Sequence, residues 1–222
     1  MVKAVLFDMD GTITDTEKIY NKNWIKAAKY SGYTNFSRED ALDLRSLNAF
    51  DAKALTQDRF GSDFDYDGIH ALCGKMVRNE LKEQGIPVKP GIKETLDTLK
   101  QENILKCIVT ATNYELASKR LEEIQLLDQF DLVISAHMVK RGKPYPDPYL
   151  YACKKLNLNP RDCIAVEDSP NGVLSAYHAG CKVIMIPDLT EPDEKLQRYL
   201  LACVPTLTDI LTIIKREENC TP

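Results

Sequence analysis

Lys3-Ala4-Val5-Leu6-Phe7-Asp8-Met9-Asp10-Gly11-Thr12 is the stretch that decides the fold. The apolar run from Ala4 to Phe7 has no polar alternation, so it reads as a strand buried on both faces. A strand of that kind belongs to a parallel sheet with helices on either side. Asp8 stands where the strand ends, the place where open α/β sheets receive their ligands. Gly11 lets the chain turn sharply and lets a ligand approach the backbone. Two acids two positions apart at the mouth of a buried strand do little for a fold that seeks only stability.

Four later segments repeat this logic. Residues 104–109 lead into Thr110, 130–134 into Ser135, 163–166 into Glu167-Asp168, and 182–186 into Pro187-Asp188. Helical patterns lie between them. Ala117, Leu121 and Ile124 share a face, as do Tyr149, Cys153 and Leu156. Ser169 followed by Pro170 predicts an N-cap with proline at the first helical position, and Gly180 predicts the stop. The helix between covers 171–179. Strand and helix in alternation imply a Rossmann-like α/β core, a parallel sheet with helices on both faces.

Residues 14–87 break the rhythm. Tyr20, Trp24, Ala27 and Ala28 mark a helical face there, and no strand pattern is present. The turn signals Ser31-Gly32, Phe60-Gly61-Ser62 and Asp67-Gly68 divide the segment into about four helices. Pro87 and Pro90-Gly91 punctuate the return to the sheet. The expected organisation is a core of residues 1–13 and 88–222 with an α-helical cap, 14–87, inserted after the first strand. The cap's two connections are natural hinges, so closure over a ligand is expected. Residues 217–222 read as a frayed tail.

The 222 residues suffice for a substantial core. With 29 basic and 33 acidic residues the net charge is −4, which argues against a general nucleic-acid or anionic-membrane binder. No apolar run approaches a membrane span. The chain enters its first strand at once, so no signal peptide is expected to precede it. Cys73, Cys107, Cys153, Cys163, Cys181, Cys203 and Cys220 form no C-x-x-C pair, and their number is odd. They read as reduced thiols of a cytoplasmic protein, monomer or weak homodimer. His70, His137 and His178 have no ligand spacing and read as structural or surface residues.

The polar clusters Asp8/Asp10, Thr110, Lys143 and Glu167/Asp168 each follow a buried strand or precede a helix. Parallel strands converge at their carboxyl ends, so these residues are expected to meet in one crevice. Up to four carboxylates there need compensation. A divalent cation and Lys143 would supply it, and oxygen-only ligands suit Mg²⁺. The same positive charge would attract a phosphate dianion. Asp8 is then placed to attack phosphorus as a carboxylate nucleophile. Asp10 is placed to protonate the leaving oxygen and later to deprotonate water. Lys143, the Thr110 hydroxyl and the backbone N–H groups of Met9–Gly11 would stabilise the transferring group.

Asp8-Met9-Asp10-Gly11-Thr12, Thr110, Gly142-Lys143-Pro144 and Val166-Glu167-Asp168-Ser169 resemble the four ordered motifs of the haloacid dehalogenase-like superfamily. The tracts Gly142-Lys143-Pro144-Tyr145-Pro146-Asp147-Pro148 and Glu167-Asp168-Ser169-Pro170-Asn171-Gly172 resemble its β-phosphoglucomutase-like branch, which has a helical cap. The resemblance implies Asp8 as nucleophile and Asp10 as acid/base. It implies Mg²⁺ held by Asp8, the Asp10 carbonyl and Asp168, with Glu167 an auxiliary ligand. The second aspartate excludes the dehalogenase branch.

Single residues carry blander readings too. Thr110 also reads as an ordinary strand-end threonine, with Thr112 the competing hydroxyl, and Lys143 as a solvated loop lysine. Asp147 reads first as the cap of a helix from Pro148. Asn171 reads as a helix-start residue, and Ser169 as a cap that also orients the metal ligands. The expected substrate contacts are Thr16, Tyr20 and Arg45 in the cap, with Ala111, Thr112 and Asn113 after the second strand. Asn48, Lys53, Lys75 and Arg78 are further candidates. Arg45 leads because Leu44-Arg45-Ser46-Leu47 falls where the branch places a substrate-facing loop. Against the mutases, Tyr20 stands where they have a histidine, and Ala49 where they have a distal phosphate ligand. The expectation is therefore an Mg²⁺-dependent phosphatase of a small phosphate ester, a sugar or polyol phosphate. The alternatives are a phosphomutase and a non-catalytic metabolite-binding module, the last disfavoured because Asp8 and Asp10 are both present.

Overall fold

In the computed structural model, which describes residues 1–219, the opening run is strand β1 (Ala4–Phe7), with all four side chains buried. It lies inside a six-stranded sheet in which every pairing is parallel. On one side run β2 (Leu105–Thr110) and then β3 (Leu132–Ser135). On the other run β4 (Cys163–Glu167), β5 (Lys182–Met185) and β6 (Ala202–Cys203). The winding direction reverses at β1, so the crevice at its carboxyl end lies between β1 and β4. Phe7 is in register with both Ile108 and Val166. Strand β6 is an addition to the five strands expected, and two residues at a sheet edge are too few to show a pattern.

Five helices lie between β1 and β2, and the first four form the inserted segment: α1 (Glu17–Tyr30), α2 (Arg38–Asp43), α3 (Ala49–Phe60) and α4 (Tyr66–Gln84). They enclose an apolar cluster of their own, including Trp24, Phe36, Phe64, Ile69 and Val77. Asp67-Gly68 is not a divider, contrary to expectation. It lies in the first turn of α4, where the Asp65 carboxylate accepts from the Gly68 N–H at 3.0 Å. The missing divider is the loop from Leu44 to Asn48. The two connections to the sheet pair with each other: Asp15 N–H donates to the Pro87 carbonyl and Lys89 N–H to that of Ile13, both at 2.9 Å.

The remaining helices are α5 (Ile92–Gln101), α6 (Tyr114–Glu123), α7 (Asp147–Leu156), α8 (Pro170–Ala179), α9 (Glu194–Gln197) and α10 (Asp209–Asn219). Successive strand side chains point to opposite faces. Val5, Phe7, Ile108 and Val166 pack on α5, α6 and α10. Leu6, Cys107, Val109 and Ala165 pack on α7, α8 and α9. Ser169 caps α8 with Pro170 at its first turn, and Gly180 ends it in the left-handed region, as its sequence signals require.

Asp147 does not cap α7. It is the first residue of that helix and pairs with Arg141 at 3.0 Å. Glu217 is part of α10 and pairs with Lys182, so the expected fraying does not begin there. Residues 220–222, Cys220 among them, lie outside the described residues. Of the described cysteines, all are free thiols, and only Cys203 is exposed. No described helix is long and apolar enough to cross a membrane.

Candidate active site

Asp8 leaves β1 while its N–H still donates to the Val166 carbonyl at 2.9 Å, so the sheet fixes the carboxylate's point of origin. Gly11 has φ +94°, and a Cβ there would run into the Asp168 carboxylate. The turn therefore needs glycine for its backbone and for its space. Asp8, Glu167 and Asp168 bring carboxylate oxygens within 4.8 Å of one another, all buried. Lys143 is wholly buried and is not a solvated loop residue: its ammonium bonds to Asp8 and lies 2.6 Å from Glu167 Oε1. Tyr149 also donates its hydroxyl to Glu167 Oε1.

The charges in this pocket do not balance. Burial pushes the Asp8 carboxyl up to about 8, with Lys143 pulling the other way and Glu167 and Asp10 adding to the rise. Burial also lifts Asp168 well above the usual carboxylate range, reinforced by Asp8 and Glu17 and opposed by Arg45. Lys143 is held above its ordinary value: burial disfavours its charge, but Asp8 and Glu167 outweigh that. Glu167 Oε2 and Asp168 Oδ1 are buried with no hydrogen-bond partner. Orphaned acceptors and carboxylates short of positive charge suit the binding of a cation. An all-oxygen donor set suits a hard cation.

The Asp10 carboxylate stands apart from that cluster. Its Oδ1 accepts from Thr16 Oγ1 at 2.6 Å and from Arg120 Nη1 at 3.1 Å, and its Oδ2 accepts from Thr112 Oγ1 at 2.9 Å. The Thr110 hydroxyl oxygen accepts from the Thr112 N–H at 3.1 Å, which leaves its own proton to donate. The Gly11 N–H, expected to face a ligand, is committed to the Thr14 carbonyl at 2.7 Å.

A cavity of about 460 Å³ opens in front of Asp8 and Asp10. Thr110, Ala111, Thr112 and Asn113 line it from the sheet, and Tyr20, Arg45, Asn48, Ala49 and Arg78 from the helical segment. Asn113 also caps α6, accepting from the Leu116 N–H at 2.9 Å. Lys53 and Lys75 are not part of the lining, and Lys53 pairs with Asp67 at the surface. His70 and His137 also line it, both as exposed side chains, in keeping with their surface reading. His70 also stacks on Trp24 at 5.6 Å.

Arg45 reaches farther than a substrate-facing loop would suggest. Its guanidinium lies 3.3 Å from Asp168 Oδ2, and its carbonyl accepts from Asn171 Nδ2 at 2.9 Å. Ser46 Oγ meets Ser169 Oγ at 2.9 Å. These contacts bring the helical segment down onto the acidic cluster.

Sequence reasoning missed Glu17, Arg120 and Tyr149. Glu17 is buried beside the cavity, and burial, with Asp10 adjacent, pushes its carboxyl up to about 8. Arg120 had a signal. It lies between Ala117 and Leu121 on the buried stripe of α6, where an unpaired cation would be costly.

The profile of the haloacid dehalogenase-like hydrolases matches residues 5–186. Hexitol phosphatase A of Escherichia coli (strain K12) is 34% identical over 201 residues, 86% of this chain and 88% of that protein. The phosphorylated carbohydrates phosphatase of Thermotoga maritima is 29% identical over 220 residues, 96% of this chain and 99% of that protein. The crystal structure of a β-phosphoglucomutase from Clostridium difficile superposes with a TM-score of 0.81 at 22% identity, covering 99% of this chain and 98% of that one.

Proposed function

The chain belongs to the haloacid dehalogenase-like hydrolases, and on that premise we propose that it is an Mg²⁺-dependent phosphatase acting on a sugar or polyol phosphate. One observation carries the reading: a buried Asp8–Glu167–Asp168 cluster with two orphaned oxygens, tied to Lys143, whose Asp8 lines a cavity together with Asp10. Mg²⁺ held by Asp8, Asp168, Glu167 and the Asp10 carbonyl would offset the charge of the pocket and of an incoming phosphate dianion.

The chain's own groups then divide the work. The Asp8 carboxylate forms a bond to phosphorus as the ester P–O bond breaks, giving an aspartyl-phosphate. Asp10 gives its proton to the departing alkoxide. It then takes a proton from the water whose oxygen attacks phosphorus, and phosphate leaves with Asp8 restored. Lys143 holds Asp8 in place, and the Thr110 hydroxyl donates to the phosphoryl oxygens. Lining by Asn48, Glu17, Arg78 and Tyr20 suits a polyhydroxylated substrate, and the relatives named for hexitols and carbohydrates support that class. The proposed partition is a catalytic core of 1–13 and 88–222 with a cap of 14–87 that closes over the substrate. The free thiols among the described residues, five of six buried, suit a reducing compartment, and the proposed setting is the cytoplasm, as a monomer or weak homodimer without nucleic-acid or membrane partners.

The test is phosphate release with Mg²⁺ from a panel of sugar, polyol and nucleoside phosphates, wild type beside Asp8→Asn. Release that the variant loses supports the reading. Conversion of β-glucose 1-phosphate to glucose 6-phosphate without free phosphate would replace it with a mutase.

A further inference from the structure

The structure assigns to Arg120 the positioning of the acid/base Asp10, and through Tyr20 it couples that position to the helical segment. The inference rests on the phosphatase reading above and adds to it a residue outside the four motifs. The Arg120 side chain is 4% exposed and projects from α6. A buried guanidinium is tolerated only where its charge and donors are met. Here Nη1 donates to Asp10 Oδ1 at 3.1 Å and Nη2 donates to the Tyr20 hydroxyl at 2.6 Å, while the guanidinium carbon lies 5.5 Å from the Tyr20 ring centroid.

The geometry shows why two threonines do not suffice. Thr16 and Thr112 hold one carboxylate oxygen each, and each hydroxyl turns freely about its own C–O bond. Arg120 shares Oδ1 with Thr16, and its planar fork fixes the direction of that bond. Three donors thus define the carboxylate plane and leave Oδ2 with the Thr112 hydroxyl alone. The other arm of the fork ends on Tyr20 of α1, so a shift of that helix is felt at Asp10. Leaving-group protonation depends on this alignment, because a general acid must lie within hydrogen-bond reach of the atom that it serves.

The experiment compares kcat/KM for an alkyl phosphate and for p-nitrophenyl phosphate in wild type, Arg120→Met, Arg120→Lys and Tyr20→Phe, all with Mg²⁺. An alkoxide needs the proton in the step that kcat/KM reports, whereas p-nitrophenolate departs without it. Arg120→Met is expected to lose at least about tenfold more kcat/KM on the alkyl ester than on the aryl ester, within the range of general acid catalysis. Arg120→Lys is expected to recover part of that difference, and Tyr20→Phe to show a smaller one. Thermal melts show whether each variant is folded, and the ratio between esters is read within one protein, so partial unfolding cancels. Equal losses on both esters, or an Arg120→Lys variant that discriminates between the esters as strongly as Arg120→Met, would overturn the assignment and leave the phosphatase reading standing. Wild-type protein inert on both esters and on the metabolite panel would overturn both.

Discussion

Gly172→Ala separates local from tertiary control of this site. Gly172 lies in the first turn of α8, where alanine would favour the helix by up to about 1 kcal/mol. Its φ is not in the left-handed region, so backbone strain plays no part. A Cβ at this position, however, would occupy the space of the Glu167 carboxylate. Glu167 is wholly buried and must move, loosening its 2.6 Å contact with Lys143 and the hydroxyl bond from Tyr149. Breaking a buried ion pair costs about 3–5 kcal/mol, and an orphaned buried hydroxyl about 1–3 kcal/mol. Partial relaxation and the helix gain reduce these, giving a net loss of about 2–5 kcal/mol. For a chain of this size that is a fall in Tm of about 4–20 °C. Differential scanning calorimetry reads it, and isothermal titration with Mg²⁺ should show weaker binding as well. Gly74→Ala is the control. It lies within α4, where a Cβ would meet only the flexible end of Arg78 at 3.2 Å. A Gly172→Ala protein that melts at or above wild type, as Gly74→Ala should, would refute the claim that Glu167 fills that space.

Lys143→Met should destabilise the protein by about 3–5 kcal/mol, because it strands Asp8 and Glu167 without their cation. Calorimetry should also find its Tm raised more by millimolar Mg²⁺ than that of wild type, since the ion would replace the lost charge. Asp40 is held below the usual carboxylate range: burial works against this, but bonds from the Ser37 backbone and hydroxyl and from Arg59 prevail. A depressed folded-state value stabilises above the unfolded pKa and is lost as pH falls through the folded one. Asp40→Ala should therefore cost about 1 kcal/mol at neutral pH through loss of the α2 capping box. Denaturant melts in acid should show the gap from wild type closing. Small-angle scattering should show a more extended particle for Ser46→Ala/Asn171→Ala than for wild type, because two of the contacts that bring residues 45–46 onto α8 are removed. Superimposable profiles would refute that latch.

The sequence by itself determined the sheet and the order of its chemistry. An apolar run such as Ala4–Phe7, repeated along the chain in alternation with helical patterns, points to strands of a parallel sheet buried on both faces. Ser169, Pro170 and Gly180 carry the start and stop of α8 in their own conformational preferences. Those signals act over a few residues, so one sequence displays them. Asp8, Thr110, Lys143 and Glu167/Asp168 were legible because each follows a strand or precedes a helix.

The pairings among side chains were decided only by the tertiary structure. Arg120 meets Asp10 across 110 positions, and Arg45 meets Asp168 across 123. Neither member of such a pair carries a mark of the other. A buried arginine on a helix stripe, such as Arg120, announces that some anion must face it, and Tyr149 announces less, since a tyrosine within an apolar face is an ordinary core residue. Which group answers depends on strand order and on how the inserted helices settle against the sheet. Those depend on the packing of whole apolar faces, summed over the entire chain, and no local pattern contains that sum.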